Sequence, residues 1–380
     1  METQPLKPLS MRLLFLTLAA LILVGNRATA CTSAIVAAQR SSEGVPIIWK
    51  HRDNTFDNTR VEYITGNKYA YTAIVPNNKN YKRGVYAGIN EKGLAVLTTA
   101  TGHLPTATPE EYKACKRQRK VGLSRIALCE CATVDEFEDI LRKSKRIRGF
   151  DSNLGIADAT GAVAYFEIWD LGYRRYDAAD RPGGFDVRAN FSHMGNPKKK
   201  GASKRRYDLI MKEMGEHKGN FTPQQLIDYS RSYNSLKYGN VLASKERYIC
   251  ANHTVPRYST VGAFVMVCDA KNPRMLVMNG HSVSSLAVPV YVKAKYEIPQ
   301  CVNGNAMRLL SNDFRKKAYC EIGDKIRILN KEVVSKVLKI KQPKIAMPSE
   351  MPKDIRKFNA DIDKKFAKHE KRVRKVLSKF

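Results

Sequence analysis

Cys31 follows directly on Ala28-Thr29-Ala30, and a cut between Ala30 and Cys31 would turn it into a self-sufficient nucleophile. The cut places a thiol and an α-amine on one residue. Such an amine has an ordinary pKa of about 7.7–8.0, so it can act as general base toward its own side chain. The chemistry open to that residue is acyl transfer through a thioester. It requires a residue to hold the amine, a charge that keeps the thiol reactive, donors for an oxyanion, and a pocket. The Lys50-His51-Arg52-Asp53 cluster could supply the first two. Asp53 can hydrogen-bond and orient the amine, while Lys50 or Arg52 favours thiolate by charge. Asn190, just after an apparent strand at Phe185–Ala189, is a neutral donor of the kind an oxyanion needs. Among the histidines, His51 has the best-placed neighbours, ahead of His193 and His281.

These residues can meet only if the elements around them bring them together. Thr32–Ala38 reads as a buried strand and Gln39–Gly44 as a turn, with Val45–Asp53 as the returning strand. In that hairpin the outer ends lie side by side, so Asp53 would sit near Cys31. Strands are expected at Tyr69–Val75, Gly84–Ile89 and Leu94–Thr99, with Asn90-Glu91-Lys92-Gly93 as the tight turn between the last two. Helices follow at Val121–Cys129 and, capped by Thr133, at about 133–145. Asn153–Asp158 and Ala162–Ile168 form a second strand block. Arg206–Glu216 and Thr222–Tyr233 read as helices, the latter with a Thr cap and Pro at its first position. Strands return at Thr260–Cys268, Met275–Met278 and Val288–Val292. This order predicts an α+β sandwich in which helices cover two stacked, mainly antiparallel sheets.

Ahead of Cys31, basic Lys7 and Arg12, the apolar run Leu13–Val24 and small Ala28 and Ala30 have the form of a secretory signal peptide over residues 1–30. The run is too short for the roughly 20 residues of a membrane span. A lipoprotein leader is the competing reading, in which Cys31 would be acylated. Such leaders usually carry a Leu-like residue three positions before the Cys, and Ala28 stands there. Export places the protein in the periplasm or outside the cell. It also permits disulfides, yet the eight cysteines lack the spacing of a stapled scaffold, and Cys129 and Cys131 on one helical stretch would point to different faces.

A hydrophobic content of 43% fits a packed core, and the net charge of +30 predicts attraction to anionic surfaces. The leader and the lack of a nucleic-acid-binding motif argue against nucleic acid as the partner. From Lys331 the chain is rich in Lys and Arg and broken by Pro343, Pro348 and Pro352, ending in a basic helix near Asp361–Phe380. This extension, 331–380, either packs back on the domain or grips an anionic envelope surface.

Cys-Thr-Ser at 31–33, Lys50 and Asp53 at the end of a hairpin, and Gly88-Ile89-Asn90-Glu91-Lys92-Gly93-Leu94 resemble the linear-amide N-terminal-nucleophile (Ntn) hydrolases. Asn153-Leu154-Gly155-Ile156-Ala157-Asp158-Ala159, Gly161, Glu167 and Arg257-Tyr258-Ser259-Thr260 are similar to the isopenicillin-N acyltransferase-like and choloylglycine hydrolase (penicillin V acylase) branch. The resemblance covers roughly 31–295. It implies a four-layer αββα sandwich, which we assign to 31–330. It further implies Cys31 as nucleophile, Asp53 as the acid that orients the amine, Asn190 in the oxyanion hole and Arg257 as a supporting arginine. Where several members carry Arg three residues before the Asp, this chain has Lys50, with Arg52 adjacent. No Asn stands at Thr99-Ala100-Thr101, where bile salt hydrolases place a second oxyanion donor. A Thr hydroxyl or the backbone N–H of Leu97 or Thr98 would have to replace it. The implied activity is an amidase or acylase on a small acyl-amide, with no metal or organic cofactor. An acyltransferase using the same site, or a non-catalytic lipid-anchored envelope-binding protein, are the alternatives.

Overall fold

A computed structural model describes residues 30–54, 59–77, 84–102, 104–114, 122–144, 152–194, 201–246, 249, 251–322 and 326–380. Residues 1–29 of the leader, Cys115 and Cys250 lie outside the described residues. In chain order the first strands are β1 (Cys31–Val36), β2 (Ile47–Asp53), β3 (Thr59–Ile64), β4 (Tyr71–Pro76), β5 (Ala87–Asn90) and β6 (Ala95–Ala100). They are followed by β7 (Ser152–Ala157), β8 (Val163–Ile168), β9 (Tyr173–Asp177) and β10 (Phe185–Ala189). A short hairpin joins β11 (Asn234–Ser235) to β12 (Gly239–Asn240). Then come β13 (Thr260–Val267), β14 (Arg274–Met278), β15 (Val288–Tyr291) and a second hairpin, β16 (Tyr319–Ile322) with β17 (Ile326–Leu329).

Two sheets form the centre. One has the order β10-β1-β2-β13-β14-β15, and the other is a meander running β3 to β9 without a crossover. All the strand pairs in both sheets are antiparallel. Ile35 and Ile48 of the first sheet meet Ile74, Ile89, Leu97 and Tyr165 of the second in a shared core. The alternate residues Ala34, Val36, Ile47 and Trp49 face the other way. That two-sided burial is why β1 carries small and apolar residues without an apolar/polar alternation.

Helices complete the outer layers. The second sheet is covered by α2 (Leu123–Glu130) and α3 (Val134–Lys143), which follow the short α1 (Pro109–Ala114). Thr133 caps α3 in a reciprocal box with Glu136. The first sheet is covered by α4 (Gly201–Glu216) and α5 (Pro223–Asp228), with Leu209, Ile210, Leu226 and Ile227 packed on Trp49 and Val265. The helix expected over 222–233 is α5 alone, continued by a 3-10 turn at Tyr229–Arg231. The result is an α+β stack of helix, sheet, sheet and helix.

Two edge strands, β3 and β9, escape sequence reading because most of their side chains are partly solvated and many are polar. Beyond β15 come α6 (Gln300–Asn303), α7 (Ala306–Ala318), α8 (Lys331–Leu338) and α9 (Ile355–Leu377). Ile362, Phe366, Val373 and Leu377 of α9 enter the same core as Leu310, Phe314, Val333 and Val334. Asp363 of α9 also accepts from the backbone N–H groups of Gln300 (3.1 Å) and Cys301 (2.8 Å), capping α6. Lys357, Lys364, Lys368 and Lys371 occupy the outward face. Among the described residues, no helix is long and apolar enough to cross a membrane.

Candidate active site

The hairpin register places Cys31 opposite Arg52, Thr32 opposite His51 and Ser33 opposite Lys50. On the other flank β10 pairs Ala189 with Thr32, so Asn190 emerges beside Cys31. Directly opposed residues share a face. Cys31, Ser33, Lys50 and Arg52 therefore face the second sheet, whereas Thr32, His51 and Asp53 face the helices.

The Cys31 nitrogen donates to Asn190 Oδ1 at 2.5 Å. Asn190 Nδ2 in turn donates to Ala100 O at 2.7 Å. Arg206 of α4 donates through Nη1 to Cys31 O (2.6 Å) and Thr32 Oγ1 (2.7 Å), and through Nη2 to Asn190 Oδ1 (3.2 Å). Cys31 itself is 5% exposed, so its thiol lies at the edge of the packed interior.

On the inter-sheet side, Lys50 Nζ donates to Thr98 O and lies 3.3 Å from Thr98 Oγ1. Burial lowers the Lys50 pKa to about 8; the neighbouring Cys31 charge opposes that fall and Arg52 adds to it. Arg52 stacks over Tyr86, 3.9 Å from the ring centroid. The two cations thus divide the work the sequence left undecided: Lys50 is coupled to Cys31, and Arg52 is held against an aromatic ring.

On the helix side, Asp53 is completely buried. Its Oδ1 accepts from Thr260 Oγ1 (2.9 Å) and lies 3.1 Å from His51 Nε2, and Arg257 Nε stands 3.2 Å from Oδ2. Burial alone would raise this carboxyl's pKa. The charges of His51 and Arg257, with the His51 hydrogen bond, outweigh it and hold the pKa below its ordinary value. His281 Nε2 lies 3.1 Å from Arg257 O and 3.0 Å from Tyr319 OH, extending the polar chain inward.

With Ala30 still attached, the Cys31 peptide N–H is held by Asn190, while Asp53 lies one residue past the partner of Cys31, so the strand pleat turns it toward His51 and Thr260. Its backbone N–H donates to Ala30 O (2.9 Å), and its Oδ2 is ion-paired with Arg257. Several of the replacement oxyanion donors are already engaged. The Thr98 N–H donates to Tyr86 O (3.1 Å), Leu97 is paired within the sheet, and Thr99 Oγ1 shares a 2.9 Å bond with Ser33. Thr101 Oγ1, by contrast, is buried with no hydrogen-bond partner.

The sequence does not mark Arg206 as a site residue, and Thr260 enters there only as the end of the Arg257–Thr260 motif. Arg206 carried one available signal: it falls in phase with Leu209, Ile210 and Met214 on the buried stripe of α4, where a charge needs partners. The other described cysteines are free thiols. Burial pushes Cys129, Cys131, Cys268 and Cys301 up, Cys131 to about 12. A cavity of about 570 Å³ lies elsewhere, lined by Glu43, Arg231, Leu276 and Met347 among others, at the turn end of the β1–β2 hairpin.

No protein-family model matches this sequence, and no curated protein matches it. Among solved structures, the chain is similar to a mutant conjugated bile acid hydrolase from Clostridium perfringens, at 11% identity over 69% of this chain and 92% of that one, with a TM-score of 0.43. It is similar to an N-acylethanolamine-hydrolyzing acid amidase ortholog from Caenorhabditis elegans, at 20% identity, covering 62% and 92%, TM-score 0.41. A penicillin V acylase from Agrobacterium tumefaciens aligns at 13% identity, covering 69% and 85%, TM-score 0.40.

Proposed function

We propose that removal of residues 1–30 during export leaves Cys31 as the N-terminal nucleophile of an amide hydrolase acting on a small acyl-amide. The observation that carries this reading is the enclosure of one residue from three sides. Asn190 Oδ1 holds the Cys31 nitrogen, Arg206 holds its carbonyl, and buried Lys50 is charge-coupled to the thiol side. Removing Ala30 would also release the backbone N–H of Asp53, whose carboxylate stays paired with Arg257 one residue beyond the partner of Cys31.

The α-amine takes the thiol proton and the thiolate sulfur bonds to the acyl carbon. The carbonyl π electrons move to oxygen, where the second hydrogen of Asn190 Nδ2 and the hydroxyl of Thr101 can donate. Collapse breaks the C–N bond, and the ammonium gives its proton to the leaving amine. Water, deprotonated by the amine, then attacks the thioester, releasing the acid and restoring the thiol.

The test is to express the full chain in a secreting host, determine the intact mass and N-terminal residue, and assay chromogenic acyl-amides. The expected result is an unmodified N-terminal Cys31 and turnover that Cys31→Ala lowers by roughly a thousandfold or more. A lipid mass on Cys31, or undiminished turnover in Cys31→Ala, would overturn the reading; the first result would favour an anchored envelope-binding protein.

A further inference from the structure

We infer that Arg206 is a positioning residue whose guanidinium sets the orientation of the Asn190 amide and the main chain of Cys31. The inference rests on the reading of Cys31 as nucleophile. It begins from the cost of the residue itself: Arg206 is 1% exposed, on a stripe otherwise made of Leu209, Ile210 and Met214. A buried guanidinium is costly unless most of its hydrogens are taken up. Arg206 Nη1 reaches Cys31 O and Thr32 Oγ1, and Nη2 reaches Asn190 Oδ1 and Ser203 Oγ (3.2 Å), while Nε is buried without a hydrogen-bond partner. Three of these four acceptors belong to the nucleophile, its neighbour, or the residue that holds its nitrogen.

The orientation follows from donor inventory. Arginine has five N–H donors and no acceptor. The Asn190 atom facing it must therefore be the oxygen. Reversing the amide would set Nδ2 against Arg206 Nη2 and against the Cys31 nitrogen, replacing two hydrogen bonds by two donor–donor contacts. With the oxygen turned inward, Nδ2 points outward to Ala100 O. The Ala100 bond lies on the exposed side, where water can replace it. A neutral amine can donate or accept, so the amine of processed Cys31 does not by itself select the flip. Arg206 does, and it anchors the Cys31 carbonyl at the same time.

Asn-selective ¹⁵N labelling tests this in the processed protein, with Arg206→Met, Arg206→Lys, Asn190→Ala and the Arg206→Met/Asn190→Ala double variant. Wild type should show one Asn190 side-chain amide pair shifted away from solvated asparagines by its fixed orientation, which Arg206→Met moves toward the solvated shifts. On a chromogenic acyl-amide, Arg206→Met should lower kcat roughly 100-fold, the scale of an ångström misplacement, with KM within about twofold. In the Asn190→Ala background the same change should cost clearly less than in wild type, leaving only the part that acts through the Cys31 carbonyl. Lysine keeps the charge but not the fork, so Arg206→Lys should rescue only partly; it carries the test if Arg206→Met does not fold. An unchanged Asn190 amide signal, or losses that simply multiply in the double variant, would overturn the inference. Failure of wild type to turn over any acyl-amide would sink the nucleophile reading instead, and the Asn190 signal would still decide the role of Arg206.

Discussion

At Lys50, burial and the neighbouring Cys31 act in opposite directions on one proton. Burial dominates and brings the pKa to about 8, from an ordinary 10.5. The unfolded chain therefore holds more protons than the folded one between about 8 and 10.5, so this group's contribution to stability rises with pH across that window. Its contribution to activity runs the other way, because the charge beside Cys31 is lost as pH climbs through 8. The Cys31 amine, in turn, must be neutral to act as base, and it loses its proton near pH 8. Wild type should give a bell-shaped kcat/KM profile centred near pH 8. Lys50→Arg keeps its charge at higher pH and should convert the falling limb into a plateau; a profile from pH 6 to 10 checks this. An unaltered falling limb would separate Lys50 from the chemistry.

The β1–β2 hairpin and β10 determine which residues can meet, because register selects the face each side chain takes. One step along β2 separates Arg52, opposite Cys31, from Asp53, turned toward the helices. Helix α9 follows the same logic at larger scale. Its Lys and Arg residues leave open whether it packs back on the domain or grips a surface; Phe366, 3% exposed, sits in the core with Val333 and Phe314, which is the packed-back arrangement. Phe366→Ala should therefore cost about 3–5 kcal/mol, read from the urea midpoint and slope. A helix that merely lay in solvent would lose less than about 0.5 kcal/mol.

For the whole molecule, acid is the exposed weakness. His281 and His369 are buried, and burial drives both pKa values down, His369 to about 4 and His281 well below its ordinary value. Arg231 and Arg372 add to the fall at His369, while the Ser284 carbonyl, 3.0 Å from Nε2, opposes it. The unfolded chain binds these protons first, so stability should fall as pH drops from about 6.5 toward 4, on the order of 3 kcal/mol from His369 alone. Asp53 behaves in the usual carboxylate sense: its contribution is present above its unfolded value of 3.8 and is lost as pH falls through its lower folded value. Urea midpoints at pH 7, 5.5 and 4 measure the sum. His369→Gln should flatten part of the slope, and an identical slope would place His369 outside the acid response.

Short-range chemistry was legible in the residues themselves. The Thr133 and Thr222 caps and the turn at Asn90–Gly93, where Gly93 has φ +84°, each depend on atoms a few positions apart. So does the alternation that predicts two stacked sheets. What tertiary structure decided were contacts between residues far apart in the chain. The Cys31–Asn190 bond joins residues 159 apart, Arg206 reaches back 175 positions to Cys31, and Thr260 lies 207 positions from Asp53. No periodicity encodes such a meeting, because it is set by strand register and helix docking acting together. The same holds for α9: its composition describes the solvated face, and only packing shows where its apolar stripe is buried.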